Sequence, residues 1–73
     1  MIELKEVEPS FAARELVKNP DILERVQGKF LIVSDTGKGV NFVKAMNILD
    51  ERGWELVQAS ATHVLIIGIF KRR

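Results

Sequence analysis

Seventy-three residues, 47% apolar and 29% charged with a net charge of +1, describe one small domain and exclude a disordered chain. The absence of cysteine removes disulfides, thiolate chemistry and cysteine-based zinc or iron–sulfur sites. A near-balanced charge argues against a dedicated nucleic-acid binder, which usually shows a clear basic excess. No signal-like or membrane-length apolar segment is found, so a cytoplasmic location with no membrane partner is expected.

In chain order, Ile2 to Val7 alternates apolar and charged residues and reads as an edge strand or extended arm. Ser10 is placed to cap a short helix through Phe11, Leu16 and Val17, and Asn19 to cap a second over Pro20 to Gln27, which ends at Gly28. Phe30 to Val33 is a strand that stops at a Ser34-Asp35-Thr36-Gly37 turn. Val40 to Arg52 carries Phe42, Ala45, Met46 and Leu49 at helical spacing, and Gly53 follows where a left-handed cap is needed. Trp54 to Ala61 alternates as a strand, with Trp54 and Leu56 on one face and Val57, Ala59 and Ala61 on the other. Val64 to Phe70 is apolar on both faces, which suits a central strand joined to the previous one by a bend at Thr62-His63.

These elements predict an α+β fold: a three-stranded antiparallel sheet in the order strand–helix–strand–strand, one long helix on a face, and short N-terminal helices. Residues 1–73 form a single domain, with 1–28 an arm and short helices and 29–73 a strand–helix–hairpin unit. Val57, Leu65, Ile67 and Ile69 leave a second sheet face apolar. Either the segment 10–27 covers it or a second copy of the chain does, and a homodimer is the favoured expectation.

Met46-Asn47, Gly53-Trp54-Glu55-Leu56-Val57 and the closing Phe70-Lys71-Arg72 resemble the pattern of the domain of unknown function 4177 family, over roughly residues 30–72. That resemblance implies a strand–helix–hairpin unit and brings no activity, substrate or cofactor. Met46 stands where that family usually has leucine, and the tyrosines common in its first strand are missing.

Little in the sequence points to chemistry. Gly37, Lys38 and Gly39 precede a helix N-terminus and form a candidate anion site, although the spacing is not that of a phosphate-binding loop and a plain strand-to-helix turn explains the glycines. Lys71, Arg72 and Arg73 form a basic end that would meet nucleic-acid phosphate if Lys29, Lys38 and Lys44 were folded beside it. His63 is the only histidine, and Ser34 and Ser60 lack a nucleophile motif. The expected function is a non-enzymatic interaction or regulatory module that self-associates and needs no cofactor. A nucleic-acid-binding accessory protein is the alternative, and a small ligand held between helix and sheet is a third reading.

Overall fold

A computed structural model describes residues 10–73; the arm expected over Ile2 to Val7 lies outside the described residues. The chain runs β1 (Ser10–Ala12), α1 (Ala13–Lys18), a 3₁₀ helix (Pro20–Arg25), β2 (Phe30–Thr36), α2 (Val40–Glu51), β3 (Trp54–Ala61) and β4 (Leu65–Arg72). The sheet has the order β1-β2-β4-β3. β1 pairs parallel with β2, and β4 pairs antiparallel with both β2 and β3. The fold is therefore α+β with β4 inside the sheet, as the two-sided apolar pattern of that strand requires.

The expected three-stranded antiparallel sheet is corrected to a four-stranded mixed one. Ser10 does not cap a helix; it opens β1, where Ser10, Phe11 and Ala12 stand beside Ile32, Val33 and Ser34. Three residues carry little strand signal, and their extended state comes from pairing with Ile32 to Ser34 of β2, far later in the chain. The helix starts instead at Ala13, and neither Ala12 nor Asn19 makes a side-chain cap bond. β2 also continues through Ser34, Asp35 and Thr36, because each finds a partner on β4. By contrast α2 and its end follow the sequence closely, with Gly53 at φ 89°.

Side-chain direction along the sheet decides where the core sits. Residues paired across neighbouring strands point to the same side. Leu31 opposite Phe70, Val33 opposite Gly68, and Phe11 beside Val33 face the helices. On that side Ala13 and Leu16 of α1, Leu23 and Val26 of the 3₁₀ segment, and Phe42, Ala45 and Leu49 of α2 close over Leu31, Val33, Trp54 and Phe70 in one buried cluster. The N-terminal helices thus pack beside α2 on the same face. They do not cover the second face of the sheet, which was one of the two arrangements expected from sequence. The described residues measure 30 × 29 × 16 Å, the thinness of one sheet layer and one helix layer.

Candidate functional site

The far side of the sheet is the most distinctive surface. Pairing places Ile32 beside Ile69, Ser34 beside Ile67, Thr36 beside Leu65, and Phe30 beside Lys71, all directed away from the helices. Leu65 and Ile67 are each 37% exposed, while Phe30, Ile32 and Ile69 are partly buried. Ser34, Thr36, Gln58 and Ser60 border this apolar centre, and Lys71 pairs with Glu55 across β4 and β3 at 3.5 Å. The face thus has an apolar middle within a polar rim, one ion pair of which is neutralised internally. Among the described residues no element lies over it.

Of the four residues expected on this face, Leu65, Ile67 and Ile69 are there. Val57 is not in their row. The register of β3 against β4 shifts between Leu56 and Gln58, so Val57 is the extra residue of a β-bulge on the edge strand. That insertion also returns Ala59 and Ala61, opposite Gly68 and Ile66, to the helix side with Leu56, reversing the faces that strict alternation assigns to them.

At the turn before α2, Gly37 and Gly39 have φ of 73° and 77°, values that glycine adopts without strain. Gly39 is buried, and a Cβ there would lie 2.5 Å from Ile66 Cδ1, the movable end of a side chain, so the positive φ is the stronger reason for glycine. Lys38 is exposed. The chain supplies its own anion to this helix start: Asp35 Oδ2 accepts the Phe42 N–H at 3.0 Å and Oδ1 accepts the Thr36 N–H at 2.8 Å. Asp35 caps this helix from the preceding strand end, and an Asx residue just before a Gly-rich turn is its signal in the sequence. Asp35→Ala is expected to lower stability by about 1 kcal/mol, read as a fall in the urea midpoint without a change in slope.

The three basic residues of the C-terminus are each engaged internally. Lys71 bonds Glu55 as above, Arg72 Nη2 donates to the carbonyls of Val26 at 2.6 Å and Gly28 at 3.3 Å, and Arg73 Nη1 meets Asp50 Oδ1 at 3.0 Å. Arg73 also donates to the Asp50 carbonyl, and the Arg72 guanidinium lies 4.5 Å from the Trp54 ring centroid. Arg72 and Arg73 close the end of the sheet onto the helix layer, while Lys71 and Glu55 pair on the opposite face. Lys29 and Lys38 flank opposite ends of the seven-residue β2, roughly 25 Å apart at strand rise, and Lys44 lies on α2. Lys29 does lie beside the basic terminus, its carbonyl accepting the Arg72 N–H at 2.8 Å, while Lys38 stands at the far end of β2.

A cavity of about 200 Å³ bounded by Leu23, Glu24, Arg52, Trp54 and Arg72 lies beside this closure. Arg52 there is matched by Asp21 at 3.1 Å and Glu24 at 3.7 Å. A shallow groove of about 300 Å³ runs between α2 and β3, past Met46, Asn47, Asp50 and Leu56. Asn47 is exposed in it, not buried as a fixed hydrogen-bonding amide would be. His63 is exposed in the tip between β3 and β4, where Thr62 Oγ1 accepts the N–H groups of Val64 and Leu65. Among the described residues no three His, Asp or Glu side chains stand close enough to hold a metal ion, and no helix is long and apolar enough to cross a membrane.

The chain matches no family model, and comparison with curated proteins and with solved structures returns no significant match.

Proposed function

We propose that this protein is a small, non-enzymatic interaction module that self-associates by stacking the open faces of two sheets. The observation that carries the reading is one-sidedness. Every buried apolar side chain among the described residues belongs to the helix–sheet core or its margin, while Ile32, Leu65, Ile67 and Ile69 form an apolar centre on a face over which none of the described elements lies. Two-layer domains exist because each apolar face must be covered, and a second copy supplies a layer of matching size.

A two-fold contact also suits the charges. Glu55 and Lys71 neutralise each other within one chain, so two copies of this face meet without an unpaired charge at their centre. Contact between two such sheets would bury side chains in a layer about 10 Å thick. The same proposal retains the kinship suggested by Gly53-Trp54-Glu55-Leu56-Val57 and Phe70-Lys71-Arg72 with the domain of unknown function 4177 family, and places the protein in the cytoplasm.

Ile67→Lys is the direct probe, because the side chain lies outside the core and its replacement puts a charge in the middle of the face. The expected result is loss of sheet stacking in light scattering after size exclusion, with an unchanged circular dichroism spectrum. An assembly whose mass ignores this substitution at every concentration would remove the open face from the account. The nucleic-acid alternative draws less support from the described residues, where Lys71, Arg72 and Arg73 are engaged internally, and is checked by the absence of salt-sensitive binding to single- or double-stranded DNA.

A further inference from the structure

We infer that residues 20–28 form a hinged strap that opens as a unit while α2 and the sheet stay folded, with Arg52 and Arg72 as its two latches. Backbone bonding sets this stretch apart. The Ile22 N–H donates to the Asn19 carbonyl and the Val26 N–H to the Leu23 carbonyl, both at 3.2 Å and both local. Among the described residues no backbone hydrogen bond joins 20–28 to α2 or to the sheet. Strands that share a ladder separate only together, whereas a stretch outside every ladder is free to open by itself.

Side chains do the fastening instead. Arg52, directly after α2, reaches Asp21 at 3.1 Å and Glu24 at 3.7 Å. Arg72, near the end of β4, donates Nη2 to the carbonyls of Val26 at 2.6 Å and Gly28 at 3.3 Å. One latch therefore holds the 3₁₀ helix and the other holds the chain that follows it. Leu23 and Val26 insert into the core beneath them. The fit there is incomplete, because the cavity of about 200 Å³ separates Leu23 and Glu24 of the strap from Arg52, Trp54 and Arg72 of the body. Side chains that border unfilled space lack partner atoms on that side.

Both ends of the strap are placed to turn. Asn19 has φ −143° and ψ 78°, outside the helical region, and makes no side-chain cap bond to the 3₁₀ helix. At the other end the chain bends at Gly28 and Lys29 before it enters β2. Hinges are commonly a few residues of this kind at the ends of elements. Opening uncovers Trp54, which is buried in the closed chain. The Arg52 latch joins exposed groups, so salt loosens it, and ionic strength sets how often the strap is open. The strap lies on the helix side of the sheet, so it moves independently of any contact through the open face.

The experiment is amide exchange by NMR on the full chain and on three variants. In the wild type the Ile22 and Val26 amides should be protected, yet exchange faster than those of Leu49 in α2 and Gly68 in β4. Arg52→Gln should speed Ile22 and Val26 by about two- to threefold, as expected for an exposed ion pair, and about 1 M sodium chloride should do the same. Arg72→Gln should speed them by roughly tenfold, as expected for a hydrogen bond to a charged group. Asp35→Ala separates strap opening from unfolding, because its cap stays formed when the strap alone opens. It should speed Leu49 and Gly68 by about fivefold and leave Ile22 and Val26 unchanged. Equal acceleration of all four amides in Asp35→Ala would show that the strap opens only with the whole domain and would overturn the inference. So would a lack of protection at Ile22 and Val26, or rates there that ignore both Arg52→Gln and salt.

Discussion

Trp54→Ala is expected to unfold most of the protein at room temperature when it is dilute enough to be a single chain. Trp54 is 1% exposed and is among the largest fully buried side chains of the described residues. It enters the core at the first position of β3, directly after the Gly53 turn, where β3, the C-terminal end of α2 and the 3₁₀ helix at Leu23 converge. Truncating a buried tryptophan costs about 3–5 kcal/mol, which matches the whole stability that a core in a domain of this size supplies, roughly 3–5 kcal/mol. The removal also takes the ring from beneath the Arg72 guanidinium, whose hydrogen bonds to Val26 and Gly28 tie the end of β4 to the segment before β2. Far-UV circular dichroism of the variant should show loss of ordered structure, whereas Trp54→Phe should retain a cooperative transition at a lower temperature. A cooperative Trp54→Ala melt within a few degrees of wild type would show that the ring carries little of the core.

Gly68→Val has the next largest expected effect, and its cause is space. A Cβ on Gly68 would stand 2.6 Å from Phe42 Cζ and 3.0 Å from Phe70 Cε1. The Phe42 and Phe70 rings have centroids 6.2 Å apart and are tilted by 44°, an aromatic contact that sits over the glycine. Moving Phe42 shifts α2, because the Phe42 N–H is also the one held by Asp35. A loss of about 3 kcal/mol is expected, the upper part of the range for overpacking, outweighing the gain from a better strand former. At Gly37 a Cβ meets nothing within 4 Å, and the φ of 73° is the only obstacle. Gly37→Ala should therefore cost about 1 kcal/mol. Parallel urea titrations that rank the two substitutions in the opposite order would refute this distinction between crowding and backbone conformation.

Local signals made part of the architecture legible. The spacing of Phe42, Ala45 and Leu49 with Gly53 after them determines α2, and the alternation after Trp54 marks β3, because both patterns are local and strongly periodic. β1 was hidden, since Ser10-Phe11-Ala12 is a strand only through its pairing with Ile32 to Ser34. Ser10 and Asn19 are good caps in isolation, and Asp35, held near the Phe42 amide by the turn it precedes, is the side chain that caps α2. The apolar second face was readable from Leu65, Ile67 and Ile69, but the side taken by α1 was not, because an amphipathic helix of six residues records only that one of its faces is covered. Val57 was misplaced because a bulge inserts one residue without changing composition. The basic terminus offers a phosphate site only as the lesser alternative to a solubilising end, and its partners Glu55, Asp50 and the carbonyls of Val26 and Gly28 lie too far along the chain to be read from sequence.

Solution mass as a function of concentration, by size exclusion with light scattering on the wild-type chain and on Ile67→Lys, tests self-association through the open face most directly. The account predicts a wild-type mass of at least two chains that falls on dilution, and a smaller assembly for Ile67→Lys with its fold intact. A wild-type protein that stays a single chain at millimolar concentration would contradict it.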